Sequence, residues 1–348
     1  MKILYGVQGT GNGHIARARG MCQALSKYPV EVDYLFSGRA PDKYFSMDCF
    51  GEYEVKKGLT FISEGGGINY LKTALKNNVY TLFQDIRRLD LSSYDLILND
   101  FEPVTAWAAK LQNRTCISLS HQNAFRYSVP SKGAGWLDKK ILTSFAPASH
   151  YLGLHWYHFD QPILPPIVNH SGYKNENKGF ILVYLPFECV SEIYDLLSRF
   201  TNHQFICFHP DINEYEKQGN ITFFSPSHNL FQEYLHACAG VIANGGFELP
   251  SEAMALGKKL LLKPLGGQFE QQSNVATLDM LGLASSMGSL DPVVVRRWLD
   301  EKVGEKVFYP NVAEAIAEWV IAGNWDNYLD LCRSLWKQVD FPSYASIN

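Results

Sequence analysis

The chain has 348 residues, with 31 Lys and Arg against 35 Asp and Glu, a formal net charge of −4, and 46% of its residues are hydrophobic. This length exceeds one ordinary core and predicts two domains of roughly 150 to 180 residues each, and the composition excludes a globally disordered chain. The weakly acidic balance excludes a non-specific nucleic-acid binder, which needs clustered Lys and Arg.

Cysteine usage and apolar patterning bear on the compartment. The seven cysteines are widely spaced and form no Cys-x-x-Cys pair, which predicts neither a zinc ribbon nor a disulfide framework. No stretch approaches the ~20 apolar residues of a membrane span, and Met1–Gly6 is too short for a signal-peptide apolar region. We therefore expect a cytoplasmic protein. The aromatic and aliphatic segment 136–160 is either a buried connection or a patch in peripheral contact with the inner face of a membrane.

Short apolar runs alternate with helical patterns in the first half of the chain. We predict buried strands at Ile3–Val7, Val30–Phe36, Leu59–Ile62, Leu96–Leu98 and Thr115–Leu119. Helix-period patterns occupy 14–27, 69–90 and 103–112. This alternation predicts a parallel sheet covered by helices on both faces. The pattern breaks at Gln161–Pro166, a proline-rich segment typical of a linker.

The alternation restarts after the proline-rich segment. Strands are predicted at Phe180–Leu185, Gln204–Phe208, Ile221–Phe224, Gly240–Ala243 and Lys259–Leu262. Helices are predicted at 189–200, 229–237, 248–256, 270–281 and 291–302. We therefore expect an α/β protein of two doubly wound domains, 1–165 and 166–325, with a cleft at the carboxyl ends of both sheets. The remaining 326–348 carries helical spacing and either packs on its own domain or crosses back to the first.

A glycine-rich loop follows the first strand and leads directly into a helix. Gly9 and Gly11 fit a dinucleotide-binding fingerprint, but His14 stands where its third glycine belongs, which argues against a pyrophosphate here. The loop instead places His14 at a helix start beside the cleft, where a neutral imidazole suits a general base. The alternative is that His14 only caps its helix.

Two carboxylates follow the strand Leu96–Leu98 at the same edge of the sheet. A histidine base needs a carboxylate that fixes its tautomer, and either Asp100 or Glu102 could supply it, with Asp100 the better placed. The alternative is that Asp100 caps the helix that begins at Glu102-Pro103.

A second glycine turn lies in the second half, where Asn244-Gly245-Gly246 ends a strand and a helix begins. Two glycines allow close approach of the backbone to a ligand, and the free N–H groups of a helix start suit a diphosphate. Glu252, further into this helix, can accept hydrogen bonds from ribose hydroxyls.

Polar side chains then cluster after the strand Lys259–Leu262, within 264–274. Several amides and a carboxylate at the mouth of a sheet suit the recognition of sugar hydroxyls, whereas a solvated turn is the plain alternative. The cluster consists of Gln268, Glu270, Gln271, Gln272 and Asn274.

The order of these motifs resembles the GT-B nucleotide-sugar glycosyltransferases, especially the MurG type of family 28. Asn244 and Glu252 are eight residues apart as in those families, and Pro264, Glu270, Gln271 and Asn274 follow in order. The resemblance implies two Rossmann-like domains, the first binding the acceptor and the second the donor. It implies that Gly245 and Gly246 hold the diphosphate, Glu252 the ribose, and Glu270 with Gln271 the donor sugar.

Further segments extend the resemblance along the chain. The loop that contains Ser227 and Leu230 resembles the base-binding edge of the family. The loop with Gly11, Gly13 and His14 resembles its N-terminal glycine loop, and His121-Gln122-Asn123 is similar to a Glu-Gln-Asn element of the MurG type. His121 in place of Glu, and Asn244 in place of His or Ser, are departures that affect acceptor and donor handling.

The resemblance implies transfer of a sugar from a nucleotide diphosphate sugar, with UDP the expected nucleotide, to an acceptor hydroxyl. The acceptor would be a glycan or lipid-linked glycan of the cell envelope, and no further cofactor is implied. The chain contains no Asp-x-Asp, so we expect no bound metal and, with a His base, inversion at the anomeric carbon. Arg17, Arg19 and Arg39 are expected to be ordinary surface charges or, alternatively, to contact an anionic acceptor. A nucleotide-sugar epimerase and a non-catalytic nucleotide-sugar sensor stay open.

Overall fold

The computed structural model contains two mainly parallel sheets, one in each half of the chain. It describes residues 1–59, 63–64, 67–68, 79–133, 135, 140, 142–169, 172–302 and 304–346, with only the backbone at 63–64 and 67–68. The expected α/β fold of two parallel-sheet domains is confirmed.

The first sheet has six parallel strands in the order β3-β2-β1-β6-β7-β8. The strands of this half are β1 (Lys2–Gln8), β2 (Glu31–Ser37), β3 (Tyr53–Lys56), the antiparallel pair β4 (Ser63–Glu64) and β5 (Gly67–Ile68), β6 (Leu96–Asp100), β7 (Cys116–Ser120) and β8 (His150–Gly153). The helices are α1 (Asn12–Leu25), α2 (Val79–Arg88) and α3 (Pro103–Leu111). Because β1 and β6 are central and parallel, the loops after them meet at one edge of the sheet.

The strands predicted for the first half agree with β1, β2, β6 and β7. Residues 60–62 of the predicted strand at 59–62, and residues 69–78 of the predicted helix at 69–90, lie outside the described residues. The prediction missed β3 and β8, which are four-residue strands at the two edges of the sheet. Short, partly exposed edge strands lack the continuous apolar run that marks a central parallel strand.

The second sheet has the order β11-β12-β10-β9-β13-β14-β15, and β11 is antiparallel to β12. Its strands are β9 (Ile181–Tyr184), β10 (Phe205–Phe208), β11 (Glu216–Gln218), β12 (Ile221–Phe224), β13 (Gly240–Asn244), β14 (Lys259–Lys263) and β15 (Ser285–Ser286). Its helices are α4 (Val190–Leu197), α5 (His228–Ala237), α6 (Glu248–Ala255), α7 (Phe269–Met280) and α8 (Pro292–Leu299). These agree with the predicted elements to within a few residues at each end; the two shortest strands, β11 and β15, were not predicted.

The proline-rich segment is packed into the molecule. Ile163 and Leu164 are fully buried, and Leu164 forms a β-bridge with Leu154. The last helices, α9 (Val312–Ala322) and α10 (Tyr328–Trp336), return to the first domain. There Lys27 Nζ lies 2.9 Å from a carboxylate oxygen of Glu314 on α9, which packs against α1. The division of the chain at residues 165 and 325 stays a prediction.

Segment 136–160 is buried over residues 152–156, whereas 140, 143, 144, 149 and 160 are exposed. Residues 136–139 and 141 lie outside the described part. Trp156 is 0% exposed, and its Nε1–H donates to Ser251 Oγ on α6 at 2.8 Å. The indole ring also packs on Phe247, with the ring centroids 4.7 Å apart. The segment, which includes β8 of the first sheet, therefore packs against the start of α6 in the second domain. Among the helices of the described residues, none has the length and apolar character that a membrane span requires.

Candidate active site

A cavity of about 1060 Å³ lies between the carboxyl edges of the two sheets. The glycine loop after β1 lines it from the first domain, and the starts of α6 and α7 line it from the second. Gly11 and Gly13 are on this wall, and a Cβ on Gly13 would approach Glu248 Cγ to 3.2 Å. The walls of the cavity are thus supplied by the two segments that the sequence singled out.

His14 and Asp100 form a hydrogen-bonded pair at the first-domain wall. His14 Nδ1 lies 2.7 Å from Asp100 Oδ1. The carboxylate can only accept, so we assign the proton to Nδ1, which leaves Nε2 with a lone pair. His14 lines the cavity with 13% of its side chain exposed, whereas Asp100 is 0% exposed. This arrangement can hold an imidazole in the tautomer that accepts a proton from a ligand.

Arg17 joins this pair to the second domain. Its Nε and Nη2 donate to the two oxygens of Asp100 at 2.7 and 2.8 Å, and its Nη1 donates to Glu248 at the start of α6. Burial alone would raise the pKa of Asp100, but Arg17 and His14 hold it below its ordinary value. The expectation that Arg17 is an ordinary surface charge is wrong, since its side chain is 2% exposed. Its position three residues after His14, on the same helix face, was a signal that the sequence offered.

Glu102 serves α3 rather than the cavity. Its carboxylate accepts from the N–H groups of Val104 and Thr105 at 2.8 and 2.7 Å, and from the hydroxyls of Ser37 and Thr105 at 2.6 Å. Burial raises the pKa of Glu102. Glu102 is therefore the helix cap at this position, and it is not among the residues that line the cavity. Of the two carboxylates left open by the sequence, Asp100 is the one that contacts His14.

The segment after β7 is only partly exposed to the cavity. His121 stacks on Phe247, with centroids 3.9 Å apart, and contacts the carbonyl of Leu154 and the side chain of Asn274. Burial lowers the pKa of His121. Gln122 donates to Glu270 at 3.0 Å, and its Oε1 has no partner within the described residues. Asn123 is buried against Ser118 and does not line the cavity.

The two glycines after β13 have different surroundings. A Cβ on Gly245 would lie 2.6 Å from Val275 Cγ2 and 2.9 Å from the carbonyl oxygen of Gln271, so Gly245 allows α7 to pack. A Cβ on Gly246 would meet nothing within 4 Å, and Gly246 lines the cavity. The expectation that both glycines admit a ligand therefore fits Gly246 alone.

The backbone N–H groups of this turn divide in the same way. Gly245 N–H donates to Lys263 O at 3.0 Å and Gly246 N–H to Asn244 O at 2.8 Å. For Phe247, Glu248 and Leu249, no acceptor occurs among the described residues. These three N–H groups start α6, and all three residues line the cavity. The N–H groups that are free to meet an anion are therefore those at the first turn of α6, the helix start that the sequence indicated, and not those of the two glycines.

The start of α7 supplies amide and carboxylate groups to the cavity. Gln268, Glu270 and Gln271 line it, and Gln271 accepts from the N–H of Leu265 at 2.9 Å. Asn274 is fully buried and donates to Gly245 O at 3.1 Å, so it supports the turn and does not line the cavity. Asn244 lines the cavity, and its Oδ1 has no partner in the described part of the chain.

A smaller cavity of about 120 Å³ adjoins the first one. Glu252 lines it, and its two oxygens accept from Gln232 and Asn169 at 2.9 and 3.1 Å. Ser227 lines it as well and caps α5, whereas Leu230 is not in its wall. Arg19 also borders this cavity and donates to the carbonyls of residues 45 and 46, so it is tied to the protein.

Two groups near these cavities, Tyr184 and Glu248, were not predicted from the sequence. Tyr184, at the end of β9, accepts a hydrogen bond from Asn12 at 2.9 Å across the cleft. Glu248 accepts from Arg17, and burial raises the pKa of Glu248 to about 8. Its place in the first turn of the helix after the glycine turn was visible in the sequence, but its partner in the other domain was not.

Comparisons with known proteins agree with this architecture. The family model described as glycosyl transferase family 1 matches residues 1–302. None of the curated proteins matches the chain. The chain resembles the solved structure of the glycosyltransferase SnogD from Streptomyces nogalater, with 16% identity and a TM-score of 0.56 over 97% of this chain and 96% of that one.

Two plant structures are similar as well. Arabidopsis thaliana UGT89C1, complexed with quercetin, shares 13% identity and a TM-score of 0.57 over 97% of this chain and 94% of that one. Phytolacca americana UGT2, complexed with UDP-2fluoro-glucose and pterostilbene, shares 11% identity and a TM-score of 0.58 over 96% of this chain and 94% of that one. The shared fold is the GT-B fold. With its family model matched over most of its length, the chain belongs to glycosyl transferase family 1 and is a glycosyltransferase.

Proposed function

We propose that the protein transfers a sugar from a nucleotide diphosphate sugar to an acceptor hydroxyl held in the 1060 Å³ cavity. One observation carries this proposal. His14, hydrogen-bonded to Asp100, lines the cavity from the first domain, and the residues with free N–H groups at the start of α6 line it from the second. A base for the acceptor and an anion-binding helix start for the leaving group are the two parts that glycosyl transfer needs.

His14 is the proposed base. Its Nε2 would take the proton of the acceptor hydroxyl as the acceptor oxygen attacks the anomeric carbon, and Asp100 would stabilise the imidazolium that forms. Arg17 keeps Asp100 ionised, which preserves this stabilisation. Because one base assists a single displacement, we expect inversion at the anomeric carbon.

The start of α6 is the proposed site of the diphosphate. The N–H groups of Phe247, Glu248 and Leu249, with the helix dipole, would bind the departing diphosphate without a metal. Burial raises the pKa of Glu248 to about 8 against the opposing effect of Arg17. Glu248 therefore keeps its proton to a higher pH than an exposed glutamate does, which lessens its repulsion of the diphosphate.

The rest of the donor fits the two adjoining cavities. Glu252 in the smaller cavity would accept the ribose hydroxyls, with the base toward Ser227, and Gln268, Glu270 and Gln271 would contact the donor sugar. UDP is the proposed nucleotide, supported by the UDP-2fluoro-glucose in the Phytolacca americana UGT2 structure that the chain resembles. The MurG-type resemblance supports a cytoplasmic role in cell-envelope glycan or glycolipid synthesis, with peripheral membrane contact, as a finer part of this proposal.

The experiment compares His14→Gln with the wild-type protein and with His203→Gln, whose imidazole is outside both cavities. UDP and several UDP-sugars are tested for thermal stabilisation, and UDP release from the stabilising sugar is then measured with a panel of sugar and phenol hydroxyls. We expect a UDP-sugar to raise the melting temperature of all three proteins. We expect His14→Gln to lower acceptor-dependent UDP release by at least a hundredfold.

The outcomes separate the parts of the proposal. If neither UDP nor any UDP-sugar stabilises the protein, the proposed donor site for UDP-sugars is wrong. If His14→Gln retains wild-type turnover, His14 is not the base. If the wild-type protein epimerises the donor without an acceptor, the transferase mechanism proposed for this cavity is overturned.

A further inference from the structure

The first-domain wall of the large cavity is rich in positive charge. The loop after β2 contributes residues 38–41 and 43 to this wall, and the end of β3 with the loop after it contributes residues 55–58. Four of these side chains are basic: Arg39, Lys43, Lys56 and Lys57. Among the described residues that line the cavity, the carboxylates are those of Glu248 and Glu270, both on the second-domain side and already hydrogen-bonded to Arg17 and Gln122. No carboxylate from the first-domain side is thus among the described residues that line the cavity.

Two of these four cations, Arg39 and Lys57, have no carboxylate partner among the described residues, and Arg39 is the less exposed of the two. Its guanidinium contacts the carbonyls of Thr10 and Lys43 at 3.5 and 3.4 Å and lies 5.5 Å from the centroid of the Tyr44 ring. In the described part of the chain, no carboxylate oxygen lies within 4.0 Å of it. Burial lowers the pKa of Arg39, and an arginine stays charged under such a shift. An arginine that is partly buried at a cavity wall and not neutralised suits a bidentate anion.

The neighbouring lysines differ in how far they are neutralised. Lys56 lies 2.5 Å from Glu54, and Lys43 is 4.0 Å from the exposed Asp42. Lys57 is exposed and has no ion pair among the described residues. Arg39 and Lys57 are thus the two of these four charges that have no ion pair among the described residues.

These charges lie beside the proposed base. The Thr10 carbonyl that Arg39 contacts belongs to the glycine loop that leads to His14. A hydrogen bond from Gly9 N–H to Ser37 O at 2.6 Å fixes this loop to the end of β2. The proposed diphosphate site is on the opposite, second-domain wall. We therefore assign an anion at Arg39 to the molecule whose hydroxyl meets His14.

We propose that the acceptor carries a carboxylate or a phosphate, held by Arg39 with Lys57, while its hydroxyl is placed against His14 Nε2. This inference rests on the proposed function, because it assigns the acceptor to the first-domain wall. The group bound is a tetrahedral or planar oxyanion on a sugar-sized or larger acceptor. Neutral acceptors would leave the charge of Arg39 without an anionic partner in the filled cavity.

The test measures binding of three probes to the UDP-saturated protein by calorimetry: glucuronate, glucose 6-phosphate and glucose. We expect both anionic probes, or one of them, to bind at least tenfold more tightly than glucose, and the stronger one identifies carboxylate or phosphate. We expect the preference to weaken with added salt, since the site is partly open to solvent. Arg39→Met should lower the affinity for the anionic probes by at least tenfold. Arg199→Met, the same change at an exposed position of the second domain, should leave that affinity unchanged.

Binding of UDP separates this inference from the proposed function. Arg39→Met should leave the affinity for UDP within about twofold of the wild type. If Arg39→Met weakens UDP and leaves the anionic probes unaffected, Arg39 serves the donor and the inference is overturned, while the donor site stands. If glucose binds as tightly as both anionic probes, the acceptor wall does not select an anion. If UDP does not bind the wild-type protein, the donor proposal fails, and the probes can still be compared in its absence.

Discussion

Alanine at Gly245 and alanine at Gly246 should have different effects, although the two residues are adjacent and look equivalent in the sequence. The Cβ of Gly245→Ala would lie 2.6 Å from Val275 Cγ2, and 2.9 Å from the carbonyl oxygen of Gln271. Carbon atoms pack at about 3.5 to 4.0 Å, so α7 must move by about 1 Å to accommodate the methyl group. Overpacking of this kind costs about 1 to 3 kcal/mol. The Cβ of Gly246→Ala meets nothing within 4 Å. Because alanine has less conformational freedom than glycine in the unfolded chain, the free energy of unfolding of this variant should be unchanged or raised by up to about 1 kcal/mol.

Chemical denaturation followed by tryptophan fluorescence measures the difference. We expect Gly245→Ala to lower the midpoint with an unchanged slope, and Gly246→Ala to keep the wild-type midpoint. UDP titration provides the second readout, because the methyl group of Gly246→Ala enters the cavity wall where the proposed donor binds. Equal stability of the two variants would refute the assignment of Gly245 to packing. A destabilised Gly246→Ala would refute the open space described beside it.

Two further predictions concern charge and the return of the C-terminal helices. Burial raises the pKa of Glu248 in the folded protein to about 8, above the ordinary 4.5 of a glutamate, so the folded state binds more protons between these two pH values. Relative to Glu248→Gln, the free energy of unfolding of the wild type should therefore fall by about 2 to 4 kcal/mol as the pH rises from 4.5 to 8. Parallel curves in pH-dependent denaturation would contradict this. The hydroxyl of Tyr328 donates to Pro162 O at 2.8 Å. Tyr328→Phe should therefore lower the free energy of unfolding by about 0.5 to 1.5 kcal/mol, measured by thermal denaturation. Tyr215→Phe, at a mostly exposed tyrosine, should leave it unchanged.

The sequence predicted the central strands and the loops beside them because apolar runs and glycine turns are local signals. His14 and Asp100 could be paired from the rule that neighbouring parallel strands end at one edge of a sheet. The spacing of Arg17 from His14 could place it beside Asp100, but its contact with Glu248 could not be predicted, because Glu248 is 231 residues away and belongs to the other domain. Gly245 was assigned to a ligand because the sequence does not show that Gln271 and Val275 pack against it.

The apolar segment at 136–160 shows the same limit. Its composition allowed a membrane patch, and only the tertiary structure places Trp156 against Ser251 and Phe247. The carboxylate after β6 shows it too, since Glu102 rather than Asp100 caps α3. Local patterns indicate that a polar group is used, whereas the choice between a cap and a catalytic role depends on which groups approach from elsewhere in the chain.

Arg17 has a consequence for protein engineering. Because one guanidinium contacts both Asp100 of the first domain and Glu248 of the second, the two halves are not independent modules. A chimera that takes its donor half from a relative with a different residue at the position of Glu248 would leave Nη1 of the buried Arg17 without its hydrogen-bond acceptor. Such a hybrid should recover its activity when the acceptor half and the helix start are exchanged together, so that Arg17 and Glu248 are inherited as a pair.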